Sequence, residues 1–238
     1  VSIAVPSGRR ESDIEAMYEE MTKLAKLYQM DLIGGDTVST RGQMVITVTV
    51  IGEVEKGRAC LRSHARPGDV VFVTGELGSS AAGLSLLLGD RFTNDEGLVQ
   101  HFMKRHKRPE PRVKAGLICS RYQRVALNDI SDGLASELNE IAEASRVSID
   151  IYQDSIPTHS ELHKLHSDWE EWVLFGGEDF ELAGTISSDQ WERFAQECSS
   201  CGVPVYKIGQ VVQSGEAKVF YHSGQDRILL EKKGYNHF

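Results

Sequence analysis

Residues 70–75 read VVFVTG, and the first four positions hold no polar side chain. A strand with one wet face alternates apolar and polar residues. An unbroken apolar run belongs to a strand buried on both faces, so the sheet that holds it must be covered on both sides. Two residues later the chain enters GSSAAGLSLLL, which reads as a helix. Any fold for this chain therefore has to place layers above and below a central strand.

The rest of the chain supplies such layers. Residues 1–5 read as a strand ended by Pro6-Ser7-Gly8. From Glu11 to Tyr28, Ile14, Met17, Met21, Leu24, Ala25 and Tyr28 recur at helical spacing. A short strand is expected at Asp31–Ile33, leading into Gly34-Gly35-Asp36, and a long β-branched strand in QMVITVTVIGEV. RSHARPGD has the polar, Pro-Gly character of a linker. Beyond it the pattern predicts a helix at 96–105, a strand in RVAL, and a helix using Ile130, Leu134, Leu138, Ile141 and Ala142. It continues with strands in SIDIY, WVLF and FELAGTI, a helix at 188–198, and strands near 203–212, 217–221 and 227–231. Strands alternate with helices, so the expected class is α+β (mixed α/β) with a mixed sheet. Two domains are expected, residues 1–65 and 66–238.

With 238 residues there is length for one large or two modest domains. The net charge of −9, from 26 basic and 35 acidic residues, argues against nucleic acid or an anionic membrane as partner. It is compatible with a nucleotide held through magnesium, whose preferred ligands are carboxylates. No apolar run has membrane-span length, and four scattered cysteines do not make a disulfide framework, so a cytoplasmic location is expected. The opening VSIAVPSGRR has no Met and begins inside an apolar strand, which suggests that sequence precedes Val1.

Three stretches place acids beside glycines at the ends of elements: DLIGGDT, NDISDG and FGGEDFEL. In the second, Asp129 is expected at the N-cap of a helix with Asp132 three positions later, where both carboxylates meet free N–H groups and the positive dipole end. That pattern fits a capping box, and it also fits a magnesium site next to a phosphate-accepting helix end. In the third, Glu178 and Asp179 directly follow Gly176-Gly177, as in a tight turn or as side chains presented at a strand edge. Two like charges about 4 Å apart cost about 4 kcal/mol at an effective dielectric near 20. Acids gathered around a nucleotide thus imply bound divalent cations, and oxygen ligands favour magnesium over zinc.

DLIGGDT, CLRSHARPGD, VTGELGSSAAGL, NDISDGL, FGGEDFEL and the terminal GYNHF follow one another in the order found in the thiamine-monophosphate kinase family, and the chain resembles that family along essentially its whole length. The family shares its superfamily with aminoimidazole ribonucleotide synthetase and selenophosphate synthetase. The resemblance implies a two-domain fold of that type, with an incomplete first domain. It lacks a leading segment that carries a Gly-Asp-Asp motif, further metal-binding aspartates and a substrate-contacting His. It also implies transfer of the γ-phosphoryl of ATP to thiamine monophosphate, with several Mg2+ ions and ATP as co-substrate. By resemblance, Asp36, Asp129 and Asp132 are metal ligands, and Asp36, Asp129 and Arg62 carry the chemistry. Gly35, Asp36, Arg62, Ser131 and Tyr18 contact the nucleotide, while Glu178 and Tyr235 contact the thiamine moiety. A homodimer is implied for the full-length protein, with little activity expected of these 238 residues alone. Two other readings stand beside this one: a different ATP-dependent enzyme of the superfamily, and an inactive fragment that binds nucleotide or dimerises.

Four features are read as structure. His159, His163 and His166 fall at i, i+4 and i+7 and form an amphipathic face rather than a zinc site. Cys198 and Cys201 lack a second pair at metal-binding distance. GELGSSAAG has no Lys of the phosphate-loop type and reads as close strand–helix packing. KRHKRPEPRVK reads as a solvated or domain-bridging basic segment, with a phosphate contact as the alternative.

Overall fold

The structure, a computed structural model, describes residues 1–213 and 215–233. It divides into two compact units, Val1–Val54 and Glu55–Phe238.

In the first unit, strand β1 (Ser2–Pro6) lies between β2 (Asp36–Thr40), parallel to it, and β3 (Val45–Thr47), antiparallel to it. Helix α1 (Glu11–Leu27) makes the crossover between β1 and β2. Two expectations change here. Asp31–Ile33 is not a strand, because the ladder to β1 begins only where Ser2 meets Asp36. QMVITVTVIGEV forms a strand of three residues: pairing with β1 covers Val45 to Thr47, and Val48, Val50 and Ile51 stay exposed without a ladder. β-Branched propensity makes no strand where no partner strand satisfies its backbone.

The second unit is built on a seven-stranded sheet. Its strands are β4 (Val70–Thr74), β5 (Val125–Asp129), β6 (Ser148–Tyr152), β7 (Leu182–Ile186), β8 (Val205–Val212), β9 (Val219–Ser223) and β10 (Asp226–Leu229), in the order β10-β9-β6-β8-β4-β7-β5. All neighbours are antiparallel except β6 and β9. β4 is near the centre, and all five of its residues are buried. Its side chains alternate between two cores, as the two-residue period of a strand requires. Val71 and Val73 join Leu77, Phe102, Ile130, Leu138 and Ile149 on one face. Val70 and Phe72 join Ala115, Ile118, Ile186 and Phe194 on the other, with the Phe72 and Phe194 rings 4.8 Å apart.

The first face is covered by α2 (Ser79–Leu88), α3 (Glu96–Lys107), α5 (Leu134–Ser145) and α7 (Trp169–Phe175); the second by α4 (Val113–Cys119) and α8 (Trp191–Ser200). Three assignments differ from expectation. WVLF is the end of helix α7: Trp169, Trp172 and Val173 share its core-facing side at spacings of three and four. α4 is a helix at Val113–Cys119, where the sequence pattern predicts no element. The histidine segment forms only one turn of helix, α6 (Leu162–Leu165). His159 stacks on His101 at 4.6 Å and His166 packs on Trp172 at 4.9 Å, so the three histidines do not share one helix face.

Candidate functional site

Two of the acidic motifs are adjacent in space. The loop from β5 to α5, residues 130–133, runs beside the segment from α7 to β7, residues 176–181. Glu178 donates its N–H to the Ser131 carbonyl at 2.8 Å, and Phe180 donates to the Ile130 carbonyl at 2.9 Å. Ile130 donates back to the Glu181 carbonyl at 2.7 Å. Glycine makes this approach possible, since a Cβ on Gly177 would lie 2.6 Å from the Ser131 carbonyl oxygen.

Asp129 is not an N-cap. It is the last residue of β5, held in the ladder opposite Leu182. The chain turns at Gly133, which has φ of 106°, and α5 starts at Leu134 without a side-chain cap. Asp129, at the end of the strand, and Asp132, on the strand-to-helix loop, are both exposed. Glu137, in the first turn of α5, reaches back instead: it accepts the Asp132 N–H at 3.3 Å and the Ser131 hydroxyl at 3.4 Å. Burial pushes its carboxyl up to about 7. The nearby Glu140, Asp129 and Asp132 act in the same direction, and the Asp132 N–H opposes them. The sequence reading passes over Glu137. Its only signal is an acid at an inward position of an otherwise apolar helix start.

Ser131, Asp132, Glu178, Phe180, Trp172 and His106 are among the residues lining a cavity of about 650 Å³. Glu178 is exposed into it, and its Oε2 lies 3.5 Å from His106 Nδ1. Asp129 lines a neighbouring cavity of about 470 Å³ with Arg112, Leu182 and Phe180, so Phe180 borders both. Arg62 is aimed at the acidic rim of α5. Its guanidinium donates to Asn128 Oδ1 at 2.9 Å and pairs with Glu140 at 3.2 Å. In the first unit, Tyr18, Gly35 and Asp36 line a cavity of about 400 Å³ together. A Cβ on Gly35 would lie 1.6 Å from the Val1 carbonyl oxygen, so only glycine fits there. Tyr235 lies outside the described residues.

Behind the cavity is a buried ionic layer. Asp179 caps α2 from a distance in sequence, accepting the Gly78 N–H at 2.7 Å and the Ser80 N–H at 3.0 Å. Burial pushes its carboxyl up to about 7, against the pull of those donors and of Arg105. Glu181 is fully buried and accepts from Arg105 at 2.7 Å, from Arg112 at 2.5 and 2.6 Å, and from Thr74 Oγ1 at 2.6 Å. Two arginines of the basic segment 104–114 are thus committed to a buried carboxylate. Neither role is visible from composition, because both depend on residues far along the chain.

Among the described residues, no three His, Cys, Asp or Glu side chains converge tightly enough to hold a metal ion by themselves. This donor set fits magnesium in a particular way: the ion keeps several waters and is commonly held by one or two carboxylates together with substrate phosphates. Asp36 in the first unit, and Asp129 and Asp132 in the second, are each exposed, as such carboxylates need to be.

Residues 1–54 match the family model of the N-terminal domain of AIR synthase related proteins, and residues 66–222 match that of the C-terminal domain. The thiamine-monophosphate kinase of Bacillus subtilis (strain 168) is 62% identical over 239 residues, covering 100% of this chain and 74% of that protein. The chain belongs to the thiamine-monophosphate kinase family. The thiamine-monophosphate kinase of Escherichia coli (strain K12) is 37% identical over 231 residues, covering 96% of this chain and 70% of its own. A solved structure of AaThiL complexed with AMPPCP and TMP is similar over 100% of this chain and 72% of that one, with a TM-score of 0.80 and 30% identity. Membership of the thiamine-monophosphate kinase family and the mixed α/β, two-domain fold thus agree with the reading from motifs.

Proposed function

We propose that this chain catalyses ATP-dependent phosphorylation of thiamine monophosphate to thiamine diphosphate by direct phosphoryl transfer. The observation that carries this reading is the 62% identity to a thiamine-monophosphate kinase along the full chain. The AaThiL complex, which holds AMPPCP and TMP together, supports it.

The acceptor needs no general base. A phosphomonoester has its second pKa near 6, so its oxygen is already largely ionised at neutral pH. The difficulty is bringing two polyanions into contact, which calls for positioning and charge neutralisation. Magnesium supplies that neutralisation when bound. We assign Asp36, Asp129 and Asp132 as its carboxylate ligands, on the donor chemistry described above. Tyr18, Gly35, Ser131 and Arg62 are assigned to the nucleotide, which the common cavity of Tyr18, Gly35 and Asp36 supports. Glu178 is assigned to the thiamine moiety: its carboxylate faces a cavity that Trp172 and Phe180 also line, a setting suited to a flat cationic ring. Tyr235 is assigned to the same moiety by resemblance.

A homodimer, a cytoplasmic location and the absence of nucleic-acid and membrane partners belong to the same proposal. The net charge of −9 supports the part that concerns nucleic acid and anionic membranes, and no described helix is long and apolar enough to cross a membrane.

Release of ADP from ATP and magnesium on adding thiamine monophosphate tests the assignment. ADP release with a different phosphate acceptor, and none with thiamine monophosphate, would move the chain to another branch of the superfamily.

A further inference from the structure

Resting on the kinase reading above, we propose that Asp179 and Glu181 are positioning residues. They are two buried carboxylates flanking Phe180, and they hold Glu178 and Phe180 in the backbone conformation from which both line the substrate cavity.

The segment Glu178-Asp179-Phe180-Glu181 is unusual in its backbone. Glu178 has φ of 65° and Phe180 has φ of 50°, two left-handed non-glycine residues two positions apart. Each is strained for a residue that carries a Cβ and persists only where the surroundings over-determine it. Gly176 and Gly177 sit just before the segment, yet the strained positions carry Glu and Phe. Side chains are therefore wanted at those two places.

The over-determination comes from both sides. The β5–α5 loop takes the N–H groups of Glu178 and Phe180. On the opposite side Asp179 is held by two N–H groups at the start of α2, and Glu181 by Arg105, Arg112 and Thr74. Alternate residues thus point inward to anchors and outward to the cavity. A buried ion pair is a weak source of stability compared with apolar packing of the same volume. What this layer does provide is a fixed direction for two outward side chains. Glu178 is more than half exposed, and His106 Nδ1 lies 3.5 Å from its carboxylate, so its place is set chiefly by its backbone. Phe180 borders the cavity of Asp132 and Glu178 as well as that of Asp129 and Arg112. Loosening the anchors displaces the carboxylate that meets the thiamine moiety, and with it the phenylalanine that lines both cavities.

The test compares Asp179→Asn and Arg105→Gln with the unaltered enzyme, by steady-state kinetics and by calorimetric titration with thiamine monophosphate. Asp179→Asn keeps the size of the side chain and removes the charge that accepts two N–H groups. Its KM and Kd for thiamine monophosphate should rise roughly tenfold or more, with KM for ATP within about twofold of the unaltered value. Arg105→Gln leaves Asp179 and Arg112 in place, and should shift the same two constants in the same direction by roughly threefold. A purely structural role would lower the melting temperature and kcat and leave both constants unchanged; that result in both variants overturns the inference. If Asp179→Asn does not fold, Arg105→Gln decides alone. Failure of the unaltered enzyme to bind or turn over thiamine monophosphate would instead overturn the kinase reading, and is told apart because it needs no variant.

Discussion

Glu137 concentrates the electrostatics of the β5–α5 loop in one titration. Its carboxyl is at about 7 in the folded chain against 4.5 when unfolded, through burial first and its acidic neighbours second. Between those values the folded state binds more protons than the unfolded one, so stability falls as pH rises and the full cost is present above pH 7. The protein stripped of metal with a chelator should therefore melt lower at pH 8 than at pH 5, and Glu137→Gln should flatten that slope. Magnesium should raise the melting temperature more at pH 8 than at pH 5. Asp36→Asn and Asp129→Asn each keep shape while removing a charge; activity should drop roughly a hundredfold, and the magnesium concentration for half-maximal rate should rise. Near-normal rates at low magnesium would remove both residues from the metal site. Asp36 and Asp132 stand out in the sequence because each adjoins a glycine, and Asp129 because it lies three positions before Asp132. Asp179 and Glu181 share that motif, yet their burial follows from Gly78, Arg105 and Arg112, whose approach no local pattern announces.

At the scale of elements, the glycine before α5 matters more than the acids around it. Gly133 has φ of 106°, and a Cβ there would lie 2.9 Å from the Phe175 backbone. Gly133→Ala should cost roughly 2–3 kcal/mol in denaturant unfolding, and should also weaken activity, because the loop it turns carries Ser131 and Asp132. Phe194→Ala, on α8, should cost roughly 3–5 kcal/mol and leave KM for both substrates unchanged, because it packs on Phe72 on the face away from the cavity. Elements with a clear period were legible: α1, α2, α3, α5 and the strands of the second unit fall close to where their apolar spacing puts them. WVLF is ambiguous because four apolar residues fit either period; Trp169 upstream, packed on the same core as Trp172 and Val173, decides for a helix. The β-branched run after Val45 was over-read because the extent of a strand is set by its partner.

For the whole molecule, a mixed sheet covered on both sides could be foreseen from VVFVTG, but its strand order could not, because nearly every pairing joins distant segments. Of the buried apolar side chains among the described residues, Ile3 alone belongs to Val1–Val54. Residues 55–238 expressed separately should keep a cooperative thermal transition by circular dichroism, whereas residues 1–54 alone should show none, since too little apolar surface is withdrawn from water there. The position of β4 has a further consequence for synthesis. Its two partners, β7 and β8, come much later in the chain; the Leu182 N–H meets Thr74 Oγ1 across 108 positions. On the ribosome, the stickiest strand of the protein leaves the exit tunnel long before either neighbour exists. Until then its open edges are free to join those of another nascent chain, and holding factors that shield short oily segments would act first at VVFV.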